Sequence, residues 1–247
     1  MNAKKQTATQ HLFTNKQLRT LLVPIMVEQL LSSLMGTADT MMVSNVGSAA
    51  ISAVSLVDAI NILVIQALSA LAAGGAILCS QYLGSQNLKK AKRSAEQVLF
   101  VMLVLSCSLS LLCLIFRFPL LRLIFGTVDT DVMANSQIYF FFTLLSFPFI
   151  GLYDAGASIL RAQNNTKGPM TISILSNFLN IGGNAILIFV FGMGVAGAAI
   201  STLVSRIFCA VVVLWQLRKD RQPVVVKDYL KIRPDWSMIG RILGLGI

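Results

Sequence analysis

Residues 168–205 read GPMTISILSNFLNIGGNAILIFVFGMGVAGAAISTLVS, 38 positions without a charged side chain. One helix of that length would rise about 57 Å, against a membrane hydrocarbon core of about 30 Å. The stretch must therefore fold back. Gly192-Met193-Gly194 supplies a turn-competent break and divides it into spans at 170–191 and 195–217. Outward from there, uncharged runs lie at 132–153 (between Asp131 and Asp154) and 97–116 (between Glu96 and Arg117). Each is close to the roughly 20 apolar residues that cross a bilayer as a helix. A longer run at 59–88 and an apolar stretch from residue 21 complete six spans: 21–43, 52–80, 96–116, 132–157, 170–191 and 195–217. Runs of this length fit helices rather than the ~10-residue alternating strands of a membrane barrel. The expected fold is an all-α membrane protein, a six-transmembrane-helix bundle. It divides into a cytoplasmic tail (1–20), a six-helix lobe (21–217), a basic cytoplasmic loop (218–235) and the start of a seventh helix (236–247), truncated at Ile247.

Composition agrees. Hydrophobic residues make up 55% and charged residues 12% of 247 positions, with a mean hydropathy of +0.75. Soluble domains carry about 25% charged residues, and disordered chains need low hydrophobicity, so both classes are excluded. The net charge of +10 is explained by where the cations fall. The tail holds Lys4, Lys5, Lys16 and Arg19. The loop after the second span holds Lys89, Lys90, Lys92 and Arg93, and the loop after the fourth holds Arg161 and Lys167. After the sixth span come Arg218, Lys219, Arg221, Lys227, Lys231, Arg233 and Arg241. Those 17 share one side of the membrane, and the other side has only Arg117 and Arg122. By the positive-inside rule the N-terminus is cytoplasmic and the protein is a multi-pass protein of the cell membrane. The basic balance is thus an orientation signal, and no nucleic-acid partner is expected. The polar start and long first span also argue against a cleavable signal peptide.

Polar groups inside the spans are costly, and they mark function by default. The first span carries Pro24, Glu28 and Asp39. Glu28 and Asp39 are 11 positions apart, close to three turns, so they share a helix face. Asp39 is either a functional carboxylate or a cap at the outer interface, and Glu28 either faces the interior or snorkels to the headgroups. Pro24 permits a kink and is the candidate hinge. In the fifth span Ser173, Asn177, Asn180 and Asn184 follow intervals of four, three and four, again one face. That face serves either a polar cavity or interhelical hydrogen bonding. Carboxamide and carboxylate oxygens suit hard cations. Gly182 and Gly183 allow close approach of a neighbouring helix. Ala198, Thr202, Ser205 and Arg206 form a similar face in the sixth span, where Arg206 needs a carboxylate or carbonyl partner. Asp58 and Asp154, near span ends, are expected in interfacial or paired roles. Gly74 and Gly75, in the small-residue stretch Ser69 to Ala76, indicate tight packing or a hinge.

Cys79, Cys107, Cys113 and Cys209 lie inside spans without CxxC spacing, and the single histidine, His11, lies in the polar tail. No metal cluster, phosphate loop or nucleophile elbow is present in the sequence, so no enzyme, ATP-driven pump or cofactor is expected.

Several stretches together resemble the multidrug and toxic compound extrusion (MATE) family. PIMVEQLLSSLMGTADTMMVSNVGSAAISAVSL (Pro24 to Leu56) is similar to the family's first-helix signature. SQYLGSQNLKKAKRSAEQ (Ser80 to Gln97) resembles its second cytoplasmic boundary, with Gln81 and Gly84. ILRAQNNTKGPM (Ile159 to Met170) resembles its fourth-to-fifth-helix loop, and NIGGNAILIFVFGMGVAGAAIST (Asn180 to Thr202) its fifth and sixth helices. The family fold has twelve helices in two pseudo-symmetric lobes, so the resemblance implies the N-terminal lobe. Its partner would be the C-terminal lobe of the same full-length chain, or a second copy if the unit is half-size. The resemblance further implies a cation-coupling site at Asp39, Asn180, Asn184, Thr202 and Ala198 (through its carbonyl). The coupling ion is Na⁺ or H⁺. One branch has an aspartate where Asn184 stands, and the Asn-x-x-x-Asn pattern is more like the sodium-linked branch. The implied function is a cation-coupled antiporter exporting drug-like, organic, cationic compounds. The alternatives are a flippase for lipid-linked oligosaccharide or peptidoglycan precursors in the same superfamily, and a non-transporting membrane scaffold. Glu28, Asn177, Asp154 and Arg206 are then cavity-lining or structural.

Overall fold

The computed structural model of the chain describes residues 15–219, 222–227, 229 and 232–246, with side chains from Arg19 onward. The described residues form eight α-helices and no strand: α1 (Asn15–Ser44), α2 (Ser48–Gly84), α3 (Leu88–Ile115), α4 (Arg117–Phe125), α5 (Thr130–Ala162), α6 (Lys167–Asn184), α7 (Gly194–Leu217) and α8 (Trp236–Gly246). A π-helical stretch, Ala185–Val190, prolongs α6. Six helices are long and apolar enough to cross a membrane: α1, α2, α3, α5, α6 with its π-helical extension, and α7. The expected break falls in place, with Gly192 and Gly194 both at positive φ (+63° and +54°), where a side chain would be strained.

The helices outrun the charge gaps. Lys89, Lys90, Lys92 and Arg93 do not lie in a loop but in the first two turns of α3, whose cap is the Asn87 side chain accepting the Lys90 N–H at 3.1 Å. Arg117 and Arg122 likewise belong to α4, a nine-residue helix too short to span. Charge gaps mark where hydrocarbon ends, and a helix continues past that edge wherever its end can be capped. Residues 15–20, expected in the tail, are helical, whereas Lys4, Lys5, His11, Arg221 and Lys231 lie outside the described residues.

α5 is the hub, packing on α2, α3 and α7, while α6 joins α7 to α1. One apolar core, at one end of the bundle, includes Cys79, Val98, Ile159, Leu160, Val213 and Leu217, and a second, at the other end, includes Val54, Phe140, Phe147 and Ala199. Gly75 admits Val98 of α3, and Gly74 admits the backbone of α8 near Gly246, where a Cβ would come within 2.6 Å. These glycines serve packing.

The described residues after α7 form a strap docked on the bundle. Val224 and Val226 are buried in the first core. The Val224 N–H donates to Gln163 Oε1 (2.8 Å), the Val226 N–H to the Leu217 carbonyl (3.1 Å) and the Tyr229 hydroxyl to the Leu214 carbonyl (2.7 Å). Buried Gln97 grips it twice, donating to the Arg233 carbonyl (2.8 Å) and accepting the Asp235 N–H (2.9 Å). Arg93 pairs with Asp235 at 2.9 Å.

Candidate cation site and its neighbours

Asp39, Asn180, Asn184 and Thr202 converge from α1, α6 and α7, and all four are buried. Asn184 Nδ2 donates to Asp39 Oδ1, and the Thr202 hydroxyl donates to Asp39 Oδ2 at 3.4 Å. Asn180 Nδ2 donates to Thr202 Oγ1 (3.3 Å), and Asn184 Nδ2 also approaches Asn180 Oδ1 at 3.4 Å. Asp39 is therefore inside the bundle and not an interfacial cap. Ala198 is buried one turn before Thr202 on α7. Asn184 Oδ1 is buried without a hydrogen-bond partner. An orphaned carbonyl oxygen costs free energy unless something satisfies it. It is the Asn184 nitrogen, and not this oxygen, that faces the Asp39 carboxylate.

Close helix approach builds this cluster. A Cβ on Gly183 would collide with the Ser201 hydroxyl, which donates to the Asn180 carbonyl at 2.8 Å. Gly182 faces open space, so of the expected pair only Gly183 serves the contact. Ser201 does not stand out in the sequence because it lies on the flank of the Ala198–Thr202 face. Asn184 is the last α-helical residue before the π-helical stretch. That irregularity has no sequence signature in the apolar run AILIFV.

The polar stripe of α6 divides between two clusters. Its upper members, Asn180 and Asn184, serve Asp39. Asn177 donates to the Ser173 carbonyl of its own helix at 2.8 Å. Ser173 lies 2.9 Å from the Tyr153 hydroxyl, which donates to Glu28 at 2.7 Å. Glu28 does not snorkel: it is buried and pairs with Arg161 of α5 at 2.8 Å. Glu28 and Asp39 do share a face, about 16 Å apart along α1, with Glu28 bonded to α5 and Asp39 to α6 and α7. Pro24 is buried one turn before Glu28. Tyr153 was missed because its phenol sits 125 residues from Glu28, and complementary charge at Arg161 was the available signal.

Asp58 accepts from Tyr139 (3.2 Å) and Asn61 (3.1 Å), tying α2 to α5. Arg206 donates to the Ser146 hydroxyl at 2.6 Å, where a carboxylate or carbonyl was expected. No carboxylate among the described residues comes within ion-pair distance of it. The helix geometry that gathers Asp39 with α6 leaves Arg206 facing α5 instead. Asp154 Oδ2 is buried without a hydrogen-bond partner.

The MatE family model matches residues 24–186, more than half of the chain. The chain belongs to the MatE family. An uncharacterized transporter, YisQ, of Bacillus subtilis is 32% identical over 189 residues, covering 74% of this chain and 41% of that protein. A probable multidrug resistance protein of the same organism, YoeA, is 29% identical over 92% of this chain and 50% of its own length. The MatE chain thus spans about half the length of the curated relatives it matches. A solved multidrug resistance MATE transporter in its outward-facing conformation superposes with a TM-score of 0.85, at 24% identity, over 94% of this chain and 51% of that one. That likeness fixes the fold: the six spans correspond to one lobe of a twelve-helix transporter.

Proposed function

We propose that this MatE chain forms the N-terminal lobe of a cation-coupled multidrug antiporter in the cell membrane. It exports organic cations in exchange for Na⁺ or H⁺, with its N-terminus in the cytoplasm. The observation that carries this is the buried carboxylate of Asp39 held by Asn184 and Thr202, beside an unsatisfied Asn184 carbonyl. Asp39, Asn180, Asn184, Thr202 and the Ala198 carbonyl form the coupling site. With Asp39 anionic, its neighbours present donors to it. A proton or Na⁺ on Asp39 removes the need for those donors and calls for acceptors, so the Asn184 carboxamide turns its oxygen inward. The contacts between α1 and α6–α7 then change, with Pro24 as the hinge. Antiport follows when drug and cation favour different arrangements of this element.

The balance of internal charge supports cationic substrates. Glu28 is neutralised by Arg161, which leaves Asp39, Asp58 and Asp154 against Arg206. Names of relatives such as YoeA point to drug-like substrates. A second lobe, from the same longer chain or a second copy, completes the path. In vesicles holding the complete transporter, Asp39→Asn is expected to abolish efflux of a fluorescent organic cation driven by a Na⁺ or proton gradient. Undiminished driven efflux would overturn the assignment.

A further inference from the structure

Of the carboxylates turned into the bundle, Glu28 is paired with Arg161, Asp39 has both oxygens engaged, and Asp154 has an oxygen buried without a donor. Asp58 differs from all three. Asn61 Nδ2 (3.1 Å) and the Tyr139 hydroxyl (3.2 Å) both donate to its Oδ1, and no donor among the described residues reaches Oδ2. We infer that Asp58 is the carboxylate of this lobe that receives the positive group of the substrate, with Asn61 and Tyr139 as positioning residues, a role that rests on the export of organic cations proposed above.

α2 starts at Ser48, so about 15 Å of helix precedes Asp58, more than the roughly 6 Å of a headgroup layer. Its neighbours Val54, Val57 and Tyr139 belong to the second apolar core. The charge of Asp58 acts on Asp39, and that of Arg206 acts on Asp58, so it faces the interior those groups share. Arg206 does not neutralise it at contact. The guanidinium bonds the Ser146 hydroxyl, and no ion pair among the described residues includes Asp58. Asp58 is only half-buried. An unpaired carboxylate is too costly to face hydrocarbon, so its open side must look onto a water-filled path.

Tying α2 to α5 does not require a carboxylate. Asn61 and Tyr139 converge on one oxygen, so an asparagine at position 58 would make both contacts through its side-chain carbonyl. The negative charge and the second oxygen are surplus to packing, and an ionisable group kept inside a membrane marks function. Fixing Oδ1 from two sides also holds Oδ2 in one direction. Such preorganisation cuts the ordering cost of binding, and a charge-assisted contact to an ammonium or guanidinium group is stronger than a neutral one. The ligand that fits is an organic cation able to bring its charge to that one oxygen.

The test titrates ethidium, a fluorescent organic cation, into the complete transporter in detergent and Na⁺-free buffer, with binding read by fluorescence anisotropy. Asp58→Asn should weaken binding about ten-fold or more, the scale of a lost contact to a charged group. Its melting temperature should be unchanged, because the asparagine still accepts from Asn61 and Tyr139. Asp58→Glu, which keeps the charge, should retain most of the affinity. Asp131→Asn, which removes equal charge from an exposed position in the first turn of α5, should bind like wild type. Wild-type affinity in Asp58→Asn would overturn the site. Equal loss in Asp58→Glu and Asp58→Asn would also overturn it, leaving Asp58 as a tie between helices. A wild type that binds no ethidium would instead refute the cationic-substrate reading, and the site with it.

Discussion

Arg161→Ala should loosen α1 by stranding Glu28. The two groups meet at 2.8 Å with side chains 27% and 8% exposed, and Tyr153 is the second donor to Glu28. Removing one partner of a fully buried pair costs about 3–5 kcal/mol, whereas an exposed pair contributes about 0–1 kcal/mol. Arg161 keeps part of its contact with solvent, and Tyr153 still donates after the substitution. The expected loss is therefore about 2 kcal/mol, between those limits. For a chain of this size that corresponds to a fall of about 4–8 °C in Tm. Thermal unfolding in detergent, followed by far-ultraviolet circular dichroism, reads it. Glu28→Gln/Arg161→Ala should recover at least half of the fall, because it removes the stranded charge, and a double-mutant cycle measures that coupling. An Arg161→Ala Tm within about 1 °C of wild type, or strictly additive single effects, would refute the pairing as an anchor.

Gly183→Ala should destabilise by about 1–3 kcal/mol through overpacking against Ser201, while Gly182→Ala, facing open space, should be close to neutral; parallel melting curves separate them. Gln97→Leu strands the strap's Arg233 carbonyl and Asp235 N–H at a cost of about 1–3 kcal/mol, so chymotryptic cleavage of the strap after Tyr229 should accelerate. Burial pushes the Tyr229 hydroxyl up to about 12 from an ordinary 10. Its folded form holds the proton longer than the unfolded one, so its contribution is complete below pH 10 and lost as pH rises to about 12. Proteolysis of the strap should accelerate over that window in wild type, and Tyr229→Phe should remove that component of the pH response.

Much of this was legible in the sequence. The six spans and the Gly192–Gly194 break rest on short-range regularities, charge gaps and turn residues; helical periodicity marks the α6 face with Asn180 and Asn184, and joining that face to Asp39 and Thr202 came from the family resemblance. What escaped depends on partners distant in sequence. Gln97 grips Arg233 and Asp235, 136 and 138 positions away, and nothing local to GluGlnVal at 96–98 announces it. The 218–235 segment has the proline and charge of a loop, yet alternate burial of Val224 and Val226 docks it. Arg206 was expected to meet a carboxylate or carbonyl, but the crossing of α5 and α7 presents it with the Ser146 hydroxyl. The polar face of α6 was visible, whereas its division between Glu28 and Asp39 required knowing where α1 lies.

Ion binding by the chain itself bears most directly on Asp39. Equilibrium uptake of radiolabelled Na⁺, with proton release followed by a pH indicator, counts the cations held by wild type and by Asp39→Asn. Wild type should bind one Na⁺ or exchange one proton at this site, Asp39→Asn should bind none there, and Asp58→Asn should match wild type. Equal binding by wild type and Asp39→Asn would contradict a coupling site built on that carboxylate.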